Sequence, residues 1–203
     1  MRILIDTDLF CKLGVTSLLQ DGVRLLDGTI EECARLPALP YMLRRGSLRK
    51  RYGSHTCEAL VTLADRIPAL PPAGTEWLDQ LTPLLDINAG EAQLFAAAAE
   101  KSLMVMTGDN RALRALKTVN AFATALAGRI VVLEALLLAL CDDLGHDEVQ
   151  RRVAPLVPID KAIGIWFSPR NPNPREALVS YYRTIVADLE PLVLWSPRPA
   201  GGP

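Results

Sequence analysis

Apolar residues along this chain fall into two kinds of run. Short unbroken ones cover residues 2–5, 103–106 and 129–133, with a weaker one at 23–26. None alternates cleanly with polar residues, which is the signature of strands buried on both faces of a parallel sheet. Longer runs with helical spacing follow them, at 9–19, 29–36, 90–102, 110–116 and 133–144. Strand and helix alternate, so the pattern predicts an α/β fold: a three-layer α/β/α sandwich around a central parallel sheet of four or five strands.

Two stretches fall outside that alternation. Residues 37–83 read as a mostly helical insertion, broken where Pro68, Pro71 and Pro72 end one helix and begin a rigid connection. From about 145 the chain reads as a mainly helical C-terminal appendage packed on the sheet domain of residues 1–144. It contains an Asn/Pro loop and ends in a frayed tail over 196–203. The longest apolar run, IVVLEALLLALC from Ile130, is too short for a membrane span and carries Glu134.

Composition narrows the partners. The 203 residues carry a formal net charge of -1, so no overall field draws in a polyanion, and RNA would have to be met by a local patch. Four cysteines, Cys11, Cys33, Cys57 and Cys141, are widely spaced without a zinc or disulfide pattern and read as buried thiols of a reduced protein. The opening MRILIDTDLF carries acids where a signal peptide is basic and then apolar. The expected location is the cytoplasm, away from membranes.

Acids stand where such a sheet would open. In a parallel sheet, ligands bind in the crevice at the carboxyl ends of the strands. Asp6 and Asp8 end the first run and Asp109 the third, while Glu91 heads the apolar stripe Leu94, Phe95 and Ala98 of its helix. Glu32 opens another helical stretch. Each has a simpler role in helix capping: Thr29 with Glu32 and Asn88 with Glu91 match capping boxes, and Asp8 and Asp109 precede or begin helices. Gathered together, carboxylates about 4 Å apart repel by about 4 kcal/mol per pair at an effective dielectric near 20. Such a group calls for a cation, and oxygen ligands without His or Cys suit Mg²⁺ or Mn²⁺.

In order, ILIDTDLF, TIEEC, INAGEAQLFAAAAE and LMVMTGDNRAL, followed by GRIVVLEALLLAL, resemble the motif series of PIN-domain ribonucleases over residues 2–144. The resemblance implies a PIN-like fold and an acidic quartet of Asp6, Glu32, Glu91 and Asp109, with Glu31 the alternative to Glu32 and Asp8 at an accessory position. It further implies Mg²⁺ or Mn²⁺ held by Asp6, Asp8, Glu91 and Asp109. It implies endonucleolytic cleavage of RNA and, as in many such enzymes, a toxin role with a protein antitoxin or homodimer partner.

A substrate surface is expected in YMLRRGSLRKRYGSH, where Arg44, Arg45, Arg49, Lys50 and Arg51 can contact phosphates and Tyr41, Tyr52 and His55 can stack on bases. A solvated helix face is the plainer reading of the same residues. Trp166 and Phe167 beside Arg170 and Arg175 could form a second stacking surface, although anchoring the appendage in the core is the expected role of the two aromatics. Two other functions fit parts of the pattern. ILIDTDLF resembles the DxD motif of haloacid-dehalogenase-like phosphatases, with Asp6 as nucleophile and Asp8 as acid. A catalytically silent module that binds RNA or protein would use the acids as helix caps alone.

Overall fold

The computed structural model describes residues 2–168, 171 and 173–197. Four parallel strands, β1 (Ile3–Ile5), β2 (Cys33–Arg35), β3 (Met104–Met106) and β4 (Ile130–Val131), form one sheet in the order β2-β1-β3-β4. Ile3 lies beside Cys33 on one side and Met104 on the other, and Val105 lies beside Ile130. Single parallel pairings extend both edges, Ala69 beside Arg35 and Leu194 beside Ile130.

Successive side chains of a strand point to opposite faces, and here both faces are covered. Ile3, Ile5, Cys33, Met106 and Val131 enter one apolar cluster, while Leu4, Ala34, Val105 and Ile130 enter the other. That is why these runs show no polar alternation. The first cluster is completed by α1 (Thr7–Val15), α2 (Leu19–Leu25), α3 (Leu39–Arg44), α4 (Ser47–Tyr52) and α5 (Ser54–Asp65). The second is completed by α6 (Thr75–Leu81), α7 (Ala89–Lys101), α8 (Asn110–Leu116) and α9 (Asn120–Ala125). Then follow α10 (Leu133–Leu144), α11 (His146–Val153), α12 (Lys161–Trp166) and α13 (Pro174–Leu189). The fold is α/β with an all-parallel four-stranded sheet, an arrangement compatible with a three-layer sandwich.

Two assignments change. Residues 23–26 are the end of α2 and the turn after it, not a strand. Residues 29–36 are not a helix: one 3-10 turn, Ile30–Glu32, gives way to β2. The capping box is real, since Glu32 Oε2 accepts from Thr29 N at 3.1 Å. Pairing with β1 then outweighs helical continuation, because it buries Cys33 and Ala34 on opposite faces.

The insertion is helical, and α5 stops at Asp65, ahead of Pro68, as the pre-proline restriction requires. Beyond residue 145 the chain shares both apolar clusters. Val149, Val153, Trp166 and Leu178 join the first, Ile185, Leu189 and Leu194 the second. Of the expected tail, Ser196 and Pro197 are described, and 198–203 lie outside the described residues. No helix is long and apolar enough to cross a membrane among the described residues. The four cysteines are free and buried.

Candidate active site

Asp6 directly follows β1, Asp109 lies three residues past the end of β3, and Glu91 sits in the first turn of α7. All three line one cleft of about 430 Å³ at the carboxyl edge of the sheet, with Asp8, Leu48, Asn88, Gly108 and Asn110. Gly108 is there for space: a Cβ would stand 2.8 Å from Leu9 Cδ1.

Every acid of this group also caps a helix. Asp6 Oδ1 accepts from Thr7 N at 2.6 Å, so Asp6, not Asp8, starts α1. Asp109 Oδ1 accepts from Arg111 N at 2.9 Å and Ala112 N at 3.0 Å. Glu91 Oε2 accepts from Asn88 N at 2.8 Å while Asn88 Oδ1 accepts from Glu91 N at 3.1 Å. These caps engage one oxygen of each acid and hold it in place. Capping and ligand binding are therefore compatible in the same residue.

The electrostatics set these acids apart from ordinary caps. Burial, then the neighbouring Asp8 and Asp109 carboxylates, push Asp6 up to about 6 against hydrogen bonds from Thr7 and Asp8. Burial pushes Glu91 up to about 7; the Asn88 N–H opposes this, while Asp109 and Asp6 add to it. Asp109 moves the other way: burial raises it, but hydrogen bonds from Ala112, Glu91 and Arg111 hold it below its ordinary value. Of the two, Glu91 is the carboxyl that holds a proton more readily. Among the described residues Asp6 and Glu91 form no ion pair, and Asp109 has Arg111 at 3.9 Å.

Asp8 stands apart. Its carboxylate lies 2.7 Å from Lys12 Nζ and 3.5 Å from Arg51 Nη1. The same two cations reach Asp160, Lys12 at 2.8 Å and Arg51 at 3.7 Å. A neutral group of two acids and two bases therefore ties α1 to α4 and to the start of α12, and Asp8 is already compensated within it. Lys12 was legible as the i+4 partner of Asp8; Asp160, far along the chain, left no local signal.

Glu32 is not at this site. It precedes Cys33, the residue beside Ile3, so it lies at the amino edge of the sheet while Asp6 follows Ile5 at the carboxyl edge. Its neighbour Glu31 lies there too and pairs with Arg66 at 3.3 Å. The reason is the unforeseen β2: with a strand after it, an acid in the preceding turn is carried to the far edge. The structure brings together Asp6, Glu91 and Asp109, and leaves Glu32 out.

The basic segment is divided in the same way. Arg51 contacts Asp8, which lines the cleft, whereas Arg44 pairs with Asp65 at 3.5 Å and Arg49 with Glu58 at 3.6 Å. Arg45 and Lys50 are exposed, as are Tyr41 and His55. Tyr52 is buried, its ring covered by the Arg51 guanidinium at 5.3 Å, so it offers no stacking face. Trp166 and Phe167 are core residues. Arg175 pairs with Asp142 at 2.8 Å, and Arg170 lies outside the described residues.

One cleft residue was missed from the sequence. Asn110 Oδ1 is buried at the cleft wall with no hydrogen-bond partner among the described residues, and a buried acceptor left unpaired costs about 1–3 kcal/mol. Three carboxylates and a neutral amide oxygen form an all-oxygen donor set, the chemistry that suits Mg²⁺ or Mn²⁺. As they stand, no three His, Cys, Asp or Glu side chains among the described residues are close enough together to enclose a metal. A fit to a small hard cation therefore involves water in part of its shell, which Mg²⁺ commonly keeps. Comparison of the chain with family models, curated proteins and solved structures gave no match.

Proposed function

We propose that this protein is a PIN-like ribonuclease that hydrolyses RNA phosphodiester bonds with Mg²⁺ or Mn²⁺ in the carboxyl-edge cleft. The observation that carries the reading is the convergence of Asp6, Glu91 and Asp109, from three separate elements, on one cleft where burial and neighbouring carboxylates raise Asp6 and Glu91 while Asp109 is held below its ordinary value. Asp6, Asp109 and Glu91 would hold the cation, with Asn110 Oδ1 as a neutral donor or the acceptor of a bound water. Bound there, the cation supplies positive charge to the phosphodiester and lowers the pKa of water.

The chain's own groups do the rest. Caps fix the three acids before any substrate arrives, which is the preorganisation such sites need. Exposed Arg45 and Lys50, on the segment whose Arg51 contacts the cleft residue Asp8, support a polyanionic substrate. Asp8 is assigned to the Lys12 and Arg51 pairing and not to the cation.

The test is incubation of mixed RNA with the full chain and Mn²⁺, beside an Asp6→Asn variant. Cleavage by the wild type that falls by about 100-fold or more in the variant supports the reading, in line with losing a group that acts on the reacting centre. Equal cleavage by both, or a covalent phosphate on Asp6, contradicts it.

A further inference from the structure

Another cavity lies at the other edge of the sheet. It measures about 650 Å³ and is bounded by Arg2, Asp27, Met104, Arg129 and Trp195, within the size range of small-molecule sites. Arg2 precedes β1, Met104 begins β3 and Arg129 precedes β4. The cavity therefore opens at the amino ends of the strands whose opposite ends lead to Asp6 and Asp109. Nothing in the proposed ribonuclease chemistry uses it.

Its charges are unevenly compensated. Asp142 and Asp143, which also border it, are neutralised by Arg175 at 2.8 Å and by Arg24. Arg2 and Arg129 have no such partners among the described residues. Arg2 Nη1 donates to the Asp27 carbonyl at 2.7 Å and Arg129 Nη1 to the Ser102 carbonyl at 2.5 Å. Main-chain carbonyls orient a guanidinium without cancelling its charge. Each planar fork keeps further N–H donors for an anion.

The two arginines flank the start of β3, because Met104 N donates to Arg2 O and Val105 N to Arg129 O. Two strand spacings put their backbones about 10 Å apart, with both side chains bordering the same cavity. Met104 lies on the strand between them, and Leu25, Leu26 and Trp195 supply the other large apolar groups of the lining. Trp195 is fixed through its main chain, its N–H donating to Ile130 O at 2.8 Å and its carbonyl accepting from Tyr182 Oη at 3.1 Å. The ring is half-buried and supplies a flat apolar face.

The geometry points to a second binding site here, for a nucleoside 5′-monophosphate. The phosphate lies between Arg2 and Arg129, the base against Trp195 and the aliphatic lining, and the Asp27 carboxylate accepts from a ribose hydroxyl or base N–H. A free phosphate would satisfy the arginines and leave the apolar lining uncovered; a nucleoside would leave both guanidinium charges unanswered.

The experiment titrates the full chain with adenosine 5′-monophosphate, adenosine and inorganic phosphate in turn, with divalent cations chelated so that the acidic cleft takes no part. Calorimetry and Trp fluorescence give the readouts. The monophosphate is expected to bind saturably, about tenfold or more tighter than either fragment, and to change the indole emission, a change lost in Trp195→Phe. Arg129→Gln and Arg2→Gln each weaken it by about tenfold, the loss of one charged hydrogen-bond pair. Arg2 is exposed, so Arg2→Gln remains a test if Arg129→Gln unfolds. Asp109→Asn leaves binding unchanged, which separates this site from the cleft. Absence of saturation at about 10 mM, equal affinity for phosphate alone, or binding that persists in folded Arg2→Gln overturns the proposal.

Discussion

Asp109 shows how one residue carries two roles that substitution can separate. Asn caps a helix as well as Asp does, whereas Ala at such a position costs about 1 kcal/mol. Asp109→Asn is therefore expected to keep the cation-free melting temperature and to lose the rise that millimolar Mn²⁺ gives the wild type, while Asp109→Ala lowers the cation-free value as well. Calorimetry with and without Mn²⁺ checks both; a full Mn²⁺ response in Asp109→Asn would leave the acid as a cap only. Glu91 adds a pH signature. Carboxyls raised by folding, as Asp6 and Glu91 are to about 6 and about 7, favour the folded state when protonated. Their contribution is complete below about pH 4, near the unfolded values, and is lost as pH rises through 6 and 7. The lowered Asp109 acts in the opposite sense, losing its contribution as pH falls. Glu91→Gln mimics the protonated form: its oxygen can accept from Asn88 and its amide can donate to Asp109. Without cations at pH 8 it is expected to melt about 2–4 °C higher, the effect of about 1 kcal/mol in a chain this long, and to lose part of the fall between pH 5 and 8. A variant melting lower than wild type at pH 8 would contradict the sign.

At the scale of elements, β1, β3 and β4 and helices α8 and α10 were legible because their apolar runs are continuous or strongly periodic. β2 was not. Cys-Ala-Arg has no β-branched residue, its preceding capping box reads as a helix start, and only the pairing with β1, distant in sequence, makes it a strand. That one miss displaced Glu32 from the site, while Asp6, Glu91 and Asp109 kept their places because each adjoins an element that the pattern identifies. The turn between β3 and α8 can be tested directly. Adding a methyl at Gly108 drives it against Leu9 Cδ1 at 2.8 Å, and overpacking of this kind costs about 1–3 kcal/mol. Gly108→Ala is expected to lose that much by denaturant unfolding and to weaken the Mn²⁺ response, since the turn that shifts carries Asp109. Unchanged stability would mean that Leu9 has room to move.

Over the whole molecule, the residues after 145 are bound to the rest by shared apolar clusters and by ion pairs, among them Arg152 with Asp21, Asp188 with Arg114, Arg175 with Asp142 and the less exposed pair of Lys12 with Asp160. Lys12 and Asp160 are nearly buried, and burial would lower the lysine pKa, but Asp8 and Asp160 hold it above its ordinary value. Breaking a buried pair leaves a charge without its partner and costs about 3–5 kcal/mol, whereas replacing both groups by apolar ones can be neutral. Asp160→Ala, which also removes the cap on Ile163 N, leaves Lys12 with Asp8 as its partner and is expected to lose about 1–3 kcal/mol. Lys12→Met combined with Asp160→Leu should recover most of it; equal losses in the single and double variants would show that the pair matters through packing alone. The sequence pattern placed these residues beside the sheet domain but held nothing to pair Asp160 with Lys12, because that contact depends on tertiary packing.

The central claim is that Asp6, Glu91 and Asp109 act together on one divalent cation. Anomalous scattering from a crystal of the full chain grown with Mn²⁺ reads this directly. The account predicts a manganese peak in the carboxyl-edge cleft with oxygens of at least two of these acids about 2.1 Å away, and none in Asp6→Asn with Asp109→Asn. A cleft without manganese while the three carboxylates keep only their capping bonds would contradict it.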